Sequence, residues 1–182
     1  MKIKYGGIDG GSSGAMAFVD ENGAWETHLV EIIYDRGHWL LDVKKNLAIL
    51  RSIADSAGGI DHLMIAYEQS RKNPDFGVKN AHVNGRNEEF WRVTLEGHDF
   101  SYCSVDPKTW QCACLKDIPI VDTKERAREY IRQRCPGTGD WLDSLNKAPR
   151  KAIVDAMCIA LWCRDKYRNV EVNHSAFVAI AA

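Results

Sequence analysis

Runs of apolar residues separated by short polar turns dominate the first part of this chain and predict β-strands. Five runs have the length and composition of strands, namely residues 3–9, 15–19, 25–33, 62–67 and 100–105. Only the short turns 10–14 and 20–23 separate the first three runs, and the Asn-Gly pair in the second turn is typical of a tight hairpin. We therefore expect three strands in an antiparallel meander at the start of the sheet.

Apolar residues at helical spacing predict the segments between and after the strands. One helix runs from about Leu40 to the pair Gly58-Gly59, because glycine commonly ends a helix. Four more helices are expected at about residues 87–96, after Asp106-Pro107, from Asp122 or Thr123 onward, and at about 150–166. The polar segments 73–85 and 137–149 predict loops. This order predicts an α/β fold with one five-stranded mixed sheet, three meander strands plus two parallel strands, flanked by helices.

Length and composition indicate one globular domain. The chain has 182 residues and a mass of 20.5 kDa, with 45% apolar and 27% charged residues, which is ordinary for a soluble protein. We expect a single domain that spans residues 1–182. No stretch approaches the ~18 consecutive apolar residues of a membrane span, and the first residues run directly into strand 3–9 without room for a signal peptide. We therefore expect a protein of the cytoplasm, in a bacterium or a phage-infected cell, without a membrane partner.

The basic residues are unevenly placed, although the net charge of −1 does not single out a nucleic-acid binder. Five basic residues and only two acids fall between residues 124 and 134. A second basic group follows Glu68 and comprises Arg71, Lys72, Lys79 and Arg86. Phosphate binding needs local rather than overall positive charge, so both groups are candidate DNA contacts. Solvated protein surface is the alternative interpretation.

Six cysteines raise the question of a zinc site or of disulfides. They are scattered, no Cys-x-x-Cys pair recurs, and none is followed by histidines at zinc-ligand spacing. Reduced thiols are therefore expected. Three of the tryptophans, Trp91, Trp110 and Trp162, are interpreted as core or interface residues.

Three acids stand at the predicted edges of this fold: Asp9, Glu68 and Asp155. Asp9 ends the first apolar run, Glu68 follows the fourth, and Asp155 lies in the apolar last helix. They meet only if the two strands are neighbours and the helix crosses them. Hard divalent cations prefer carboxylate oxygens, and two such ions about 3.5–4 Å apart can activate water and stabilise the leaving oxygen of a phosphodiester. The three acids together predict a magnesium-dependent nuclease.

Each acid also has a simpler interpretation. An aspartate before Gly10-Gly11 is typical of a turn, and Glu68 could be a surface acid at the end of a strand. Asp155 could pair with Lys151 four residues earlier, although a base before an acid is the weaker order on a helix. Because α/β sheets keep their sites at the carboxyl ends of strands, we favour the metal-site interpretation.

Three motifs resemble the RuvC-type Holliday junction resolvases, in particular their phage and plastid branch. They are Gly-Ile-Asp-Gly-Gly-Ser-Ser-Gly-Ala at residues 7–15, Tyr-Glu-Gln at 67–69 and Asp-Ala-Met-Cys-Ile-Ala at 155–160. Residues 105–110 and 124–136 also resemble the segments after the family's fifth strand, and the match covers roughly residues 3–165. The resemblance implies an RNase H-like fold, a homodimer, Mg²⁺ or Mn²⁺ as the metal, and structure-selective cleavage of four-way DNA junctions.

The resemblance assigns Asp9, Glu68 and Asp155 as metal ligands and, together with Lys151, as catalytic residues. Bacterial members usually have a fourth acid or histidine one helical turn before the last aspartate, where this chain has Lys151 and Ala152. Lys151 could instead contact the scissile phosphate as a point charge. The acids of the preceding loop that could supply the missing ligand are Asp140 and Asp143.

Five residues are predicted to contact DNA. Lys108 and Lys124 could bind phosphates, and Arg71 and Lys72 would lie near the cut strand. Phe76 could stack on an unpaired base at the junction, as aromatic residues do on opened strands. The alternative for Phe76 is a loop aromatic that packs on its own domain.

Three other functions fit parts of the same pattern. An aspartate followed by glycines and serines after a first strand also suits a sugar-kinase-like or actin-like ATP-binding protein, but such proteins need a second domain of similar size. An RNase H-like nuclease could instead cut flaps or other branched DNA. A catalytically silent homologue would bind junctions and leave them uncut, an alternative motivated by Ala152 at the family's ligand position.

Overall fold

Strands dominate the first part of the chain and helices the second. The computed structural model describes residues 3–35, 38–70 and 78–168. In chain order the elements are β1 (Lys4–Asp9), β2 (Ala15–Asp20), β3 (Trp25–Leu29), β4 (Ile32–Asp35), β5 (His38–Leu41), α1 (Val43–Ala57), the 3-10 turn Ile60–His62, β6 (Leu63–Glu68), α2 (Val78–Glu96), β7 (Ser101–Val105), α3 (Pro107–Leu115), α4 (Thr123–Arg134), α5 (Gly139–Ser144) and α6 (Lys147–Tyr167).

Five strands form one mixed sheet in the order β3-β2-β1-β6-β7. The pairs β1–β2 and β2–β3 are antiparallel, as the short turns between them require. β6 pairs parallel with β1, and β7 pairs parallel with β6 after the crossover that contains α2. The predicted α/β fold, with three meander strands and two parallel strands in a sheet flanked by helices, is confirmed.

Helices cover both faces of this sheet. Neighbouring residues of a strand point to opposite faces, so β1 and β6 contribute side chains to two cores. One core contains Tyr5, Met64 and Ala66 together with most of α6. The other contains Ile8 and Tyr67 together with side chains from α1 and α2. The central strands are therefore buried on both sides, which explains their continuous apolar runs.

α6 contacts β1 backbone to backbone. A Cβ atom on Gly7 would lie 2.2 Å from the carbonyl oxygen of Ala156 and 2.3 Å from the nitrogen of Ala160. Only glycine permits so close an approach. The contact lies two residues before Asp9 on β1 and next to Asp155 on α6, so it positions two of the predicted ligands.

The predicted third strand is too long. Residues 25–33 are predicted as one strand, but β3 ends at Leu29 and the chain leaves the sheet. Val30 N still donates to Gly14 O (3.0 Å), and Glu31 N then donates to the side chain of the buried Asn46 (3.0 Å). An amide side chain from α1 thus binds the backbone at a position where the third strand was expected to continue in the sheet. The next two strands, β4 and β5, pair with each other in a separate two-stranded antiparallel sheet, called the ribbon below.

The helix predicted from Leu40 begins later than expected. Leu40 and Leu41 belong to β5. α1 begins at Val43 after the N-cap Asp42, whose carboxylate accepts a hydrogen bond from Lys45 N. The prediction was wrong because a short apolar run fits the end of a strand and the start of a helix equally well.

Both predicted loops contain helix. α2 includes residues 78–85 of the segment 73–85, and the rest of that segment lies outside the described residues. α5 and the first turn of α6 fall in the segment 137–149. α5 buries Leu142, but six residues are too few to show a helical period. Pro149 is compatible with α6 because amide hydrogens in the first turn of a helix have no partner within it.

No helix within residues 3–35, 38–70 and 78–168 is long and apolar enough to span a membrane. All six cysteines are free thiols. Burial raises the pKa of the Cys158 and Cys163 thiols well above the usual value, so both stay protonated. Cys163 Sγ lies 3.7 Å from Met64 O on β6, and Cys158 Sγ lies 3.8 Å from Ala127 O on α4, so each packs as a small side chain between α6 and a neighbouring element.

Candidate metal centre and nucleic-acid groove

Asp9 and Glu68 lie side by side at the carboxyl ends of the neighbouring strands β1 and β6. The parallel register pairs Ile8 with Tyr67, and each acid is the next residue of its strand. Neighbouring strands are about 4.8 Å apart, so the two acids start from adjacent positions. Ile8 and Tyr67 pack toward α1 and α2, and alternation therefore directs both acids toward the face that α6 covers.

Asp155 reaches this face from α6. It is half-buried, whereas its neighbours Val154 and Ala156 are buried. Lys151 lies one turn earlier and is exposed, and it lines a groove together with Asp155. Its ammonium group is also close enough to act electrostatically on Asp9. The fold thus brings Asp9, Lys151 and Asp155 to the same end of the contact between β1 and α6.

A hydrogen-bonded loop holds Asp9 in place. Its carboxylate accepts a hydrogen bond from the backbone N–H of Gly11, and Gly14 N donates to Gly11 O (2.9 Å). Trp91 is buried, and its Nε1 donates to Gly10 O (3.1 Å). A Cβ atom on Gly14 would lie 1.9 Å from the carbonyl oxygen of Asp9, so the turn requires glycine there.

A tryptophan from α3 holds Glu68. Trp110 Nε1 donates to Glu68 Oε2 across 2.7 Å. α3 starts at Pro107 directly after β7, the parallel neighbour of β6, so its first turn stands near the end of β6. Three tryptophans were predicted to be core or interface residues, and Trp91, Trp110 and Trp162 are all buried in the core. Sequence reasoning missed the Trp110–Glu68 hydrogen bond, for which the local pattern carries no signal.

Asp9 occupies a position where negative charge is unfavourable. Burial raises the pKa of its carboxyl above the ordinary value. The Gly11 N–H and the positive charge of Lys151 act in the opposite direction and do not overcome the effect of burial. A cation next to Asp9 would stabilise the ionised form, as opposite charges do.

A basic groove opens beside Asp155 between α4 and α6. Its lining residues are Lys124, Glu125, Arg128, Lys147, Ala148, Arg150, Lys151, Val154 and Asp155. Five of these nine residues are basic and two are acidic, so the groove is positively charged. Lys124 and Lys151, both predicted to contact DNA or the scissile phosphate, lie in it.

Sequence reasoning missed Lys147 and Arg150 as groove residues. Lys147 falls in a segment predicted as a loop, but α6 begins at this residue. Residues four apart lie on one face of a helix, so Lys147, Lys151 and Asp155 form a row along α6. With the helix start placed correctly, this spacing would have indicated the groove.

Asp143 is engaged by arginines. Its carboxylate accepts hydrogen bonds from Arg128 and, at 2.8 Å, from Arg132. These guanidinium groups, Arg128 first, hold the pKa of Asp143 below its usual value. Asp140 is exposed in the first turn of α5. Asp143 is therefore disfavoured as the fourth metal ligand.

Of the other predicted DNA contacts, Lys108 is the one among the described residues. Lys108 is exposed in the first turn of α3, where its backbone N–H donates to the cap Asp106 (2.7 Å). It does not line the groove of Lys124. Arg71, Lys72 and Phe76 lie outside the described residues.

The three predicted ligands fit a divalent cation by their chemistry, but they do not surround one point. In the part of the chain that the structure describes, no group of three or more His, Cys, Asp or Glu side chains is close enough to hold a metal ion. Glu68 accepts its hydrogen bond from Trp110, and Asp9 accepts one from Gly11. Carboxylate oxygens from β1, β6 and α6 are nevertheless the donors that Mg²⁺ and Mn²⁺ prefer.

Comparison with solved structures identifies the architecture. Thermus thermophilus RuvC in complex with a Holliday junction substrate superposes with a TM-score of 0.52 at 17% sequence identity, over 94% of this chain and 98% of that one. The chain has the fold of RuvC. The RNase H-like fold predicted from the sequence motifs is thereby confirmed.

A second solved structure of Thermus thermophilus RuvC gives a TM-score of 0.49 at 14% identity, over 91% of this chain and 97% of that one. No protein-family profile and no curated protein matches the sequence. At 17% identity, the likeness to the junction-bound RuvC structure establishes the fold, and the chemistry must be argued from the residues of this chain.

Proposed function

We propose that this chain is an endonuclease that cuts branched DNA, with the four-way Holliday junction as its substrate. One observation carries the proposal. Asp9 and Glu68 lie at the ends of two parallel strands, on the sheet face that α6 covers, and Asp155 of α6 lines a basic groove at the same place. The RuvC structure with the same fold is in complex with a Holliday junction substrate, which supports this choice of substrate. Carboxylates beside a phosphate-binding groove suit metal-assisted phosphodiester hydrolysis.

The metal ligands in this proposal are Asp9, Glu68 and Asp155, and the metal is Mg²⁺, for which Mn²⁺ can substitute. A divalent ion held by these three carboxylates would supply Lewis-acid chemistry, activating water and offsetting charge on the phosphate. The protein supplies the orientation, because Trp110 holds Glu68 and the Gly11 N–H holds Asp9.

Lys151 takes the place of a fourth acid in this proposal. Its ammonium group lies on the wall of the groove beside Asp155 and acts on Asp9. A compact positive charge there can bind the scissile phosphate and stabilise the ionised form of Asp9. Lys151 is therefore assigned to the phosphate, and the catalytic set is Asp9, Glu68, Asp155 and Lys151.

The groove provides the path for the DNA backbone. Lys124 on α4 and Lys147 on α6 belong to opposite helices of the groove, so a strand of phosphates between them would contact both. Lys108 is assigned to a phosphate farther along. The contacts predicted for Arg71, Lys72 and Phe76 stay predictions.

Two copies acting together match the symmetry of the substrate. A four-way junction offers two equivalent strands, so a two-fold symmetric pair of sites can cut both. We therefore propose a homodimer of one domain, residues 1–182, that acts in the cytoplasm of a bacterium or a phage-infected cell. Light scattering of the protein with and without junction DNA measures the number of copies, and a monomeric complex would contradict the pairing.

Cleavage of defined DNA substrates tests the function. The purified protein is incubated with an end-labelled four-way junction, a flap and a linear duplex of matched sequence, in Mg²⁺, in Mn²⁺ and in EDTA. We expect cutting of the junction that depends on the metal, and a loss of more than ~100-fold in Asp9→Asn, Glu68→Gln and Asp155→Asn, since even residues that only orient a ligand cost 10–100-fold. Junction binding should persist in these variants. A flap cut faster than the junction would assign the chain to flaps instead.

A second candidate is a junction-binding protein without nuclease activity. It is favoured by Ala152 and Lys151 at the position of the fourth ligand and by the separation of the three acids in the described part of the chain. Such a protein binds the junction as tightly in EDTA as in Mg²⁺ and cuts nothing in either. The same assay therefore distinguishes the two candidates.

A further inference from the structure

The ribbon of β4 and β5 carries an exposed aromatic pair. Tyr34 and Trp39 are direct cross-strand partners. Their ring centroids are 5.0 Å apart at an interplanar angle of 56°, and Tyr34 is 60% and Trp39 59% exposed. Large apolar side chains that cluster on a surface are typical of binding sites. The metal centre and the groove make no use of this pair.

The rings extend a face of the ribbon that is packed at its other end. The register pairs Ile32 with Leu41, and both contact the core that contains α1. Side chains two residues apart on a strand share a face, so Tyr34 and Trp39 point to the same side as Ile32 and Leu41. The aromatic pair therefore lies beyond the packed part of this face and is open to solvent. We call the Tyr34–Trp39 pair the ledge.

The ledge lies toward the same end of the sheet as Asp9, which is the end where β1 and β6 finish. Val30, two residues before the ribbon, donates from its backbone N–H to Gly14 O (3.0 Å). Gly14 precedes Ala15, the antiparallel partner of Asp9. The chain therefore leaves β3 for the ribbon at the end of the sheet that carries Asp9 and Glu68, and not at the other end of the strands.

α2 makes one hydrogen bond to the ledge and one to the loop that follows Asp9. Arg86 Nη2 donates to the carbonyl oxygen of Trp39 (3.3 Å), and Trp91 Nε1 donates to Gly10 O (3.1 Å). Arg86 and Trp91 are five residues apart, which corresponds to about 7.5 Å along a helix. The guanidinium of Arg86 also places positive charge beside the backbone of Trp39, where a DNA phosphate would be attracted to it.

We propose that the Tyr34–Trp39 ledge binds an unpaired base of the branched DNA by stacking. The inference rests on the proposed function and adds a second type of contact to it, since the groove binds phosphates. Aromatic rings stack on every base because every base has a π-face, so the ledge recognises opened strands rather than sequence. Fully paired duplex presents no such base away from its ends.

The exposed area of the two rings by themselves fits a stacked base better than a second protein copy. An aromatic side chain has about 150–250 Å² of surface, so the exposed parts of the two side chains amount to roughly 200–300 Å². A stable protein interface needs about 800 Å² on each partner. One or two stacked bases match the smaller area.

The test compares Trp39→Leu with Trp39→Phe and with Ile33→Ala. Leucine keeps an apolar side chain without a ring, and phenylalanine keeps a ring. Ile33 is exposed on the opposite face of the same ribbon, so Ile33→Ala is the matched control. The probes are a four-way junction with 2-aminopurine at the branch point and a blunt duplex of the same sequence, both in EDTA so that nothing is cut. Affinity is read by anisotropy and stacking by quenching of the 2-aminopurine fluorescence.

We expect Trp39→Leu to weaken junction binding by about 5- to 150-fold, the range for losing one aromatic–base stack, and to abolish the quenching. Trp39→Phe and Ile33→Ala should retain both signals, and duplex binding should be equal in all four proteins. Equal affinity and quenching in Trp39→Leu and the unaltered protein would overturn the inference. So would a fall in the oligomeric mass of Trp39→Leu without DNA, which would assign the ledge to a second copy.

Cutting in Mg²⁺ is measured on the same four proteins to separate the two proposals. A protein that quenches the probe through Trp39 and cuts nothing supports the ledge and refutes the nuclease. A protein that cuts the junction while Trp39→Leu leaves both affinity and quenching unchanged supports the nuclease and refutes the ledge.

Discussion

The indole Nε1 of Trp110 lies 2.7 Å from Oε2 of Glu68 and donates a hydrogen bond to it. A hydrogen bond to an ionised carboxylate is stronger than one between neutral groups. Trp110 is buried in the core that α6 forms with the sheet, so the packing of this core determines how Glu68 is oriented. The core and the candidate metal centre are therefore not independent.

Trp110→Phe should reduce junction cutting by about 10- to 100-fold, the usual effect of removing a group that orients a metal ligand. Phenylalanine fills most of the space but cannot donate to Glu68. The Mg²⁺ concentration for half-maximal cutting should rise, and initial rates over a Mg²⁺ titration measure it. Trp162→Phe makes the same change of side chain elsewhere in that core and is the control. Equal rates in the two variants would show that the hydrogen bond has no part in activity.

Asp9→Asn should make the metal-free protein more stable at neutral pH, because it removes a charge that burial makes unfavourable. The pKa of Asp9 is raised in the folded state, so the folded state holds its proton to higher pH than the unfolded state does. The unaltered protein therefore loses stability as the pH rises from about 4, the unfolded value, through the raised value. Below about pH 4 the acid is neutral in both states, and the advantage of Asn disappears.

Thermal unfolding in EDTA from pH 4 to pH 8 measures this difference. The melting temperature of Asp9→Asn minus that of the unaltered protein should grow with pH and then level off. Mg²⁺ should raise the melting temperature of the unaltered protein more than that of Asp9→Asn, since a ligand stabilises only the form that binds it. A difference that is constant over the whole pH range would contradict the assignment of a raised pKa.

Gly7→Ala should destabilise the protein by about 3 kcal/mol or more, toward the upper end for overpacked cores. The added methyl group meets the backbone of Ala156 and Ala160 and not a flexible side chain, so α6 must move away from β1. Gly85→Ala is the matched control, since its Cβ atom meets nothing within 4 Å. On α2 it should stabilise the protein by roughly 0.5–1 kcal/mol. Urea denaturation of both variants measures these changes, and a mild effect at Gly7 would show that the contact is less rigid than described.

Lys147→Gln should weaken junction binding and reduce the slope of log affinity against log salt by about one, as expected for one lost phosphate contact. Lys147 lines the groove, whereas the exposed Lys44 lies on α1, which packs on the other face of the sheet. Lys44→Gln removes the same charge and should leave the slope unchanged. Anisotropy titrations from 50 to 200 mM salt in EDTA compare the two variants. If both lower the slope equally, the groove is not the path of the DNA.

The sequence by itself determined the sheet and the positions of the acids in it. Apolar runs locate strands because burial depends on consecutive residues, and the runs that end at Asp9 and Glu68 placed both acids correctly at strand ends, although the run 25–33 overshot the end of its strand. The start of α4 could also be predicted from the sequence, because its N-cap depends on near neighbours: the carboxylate of Asp122 accepts hydrogen bonds from Lys124 N and Glu125 N.

Only the tertiary structure decided which distant groups meet. Asn46 ends β3 early by binding Glu31, 15 residues away, and Trp110 reaches Glu68 across 42 residues. The row from Lys147 to Asp155 became a groove only because α4 lies opposite it. Periodicity reports how a residue relates to its neighbours in the chain, whereas these contacts depend on how whole elements pack, and many sequences with the same local pattern pack differently.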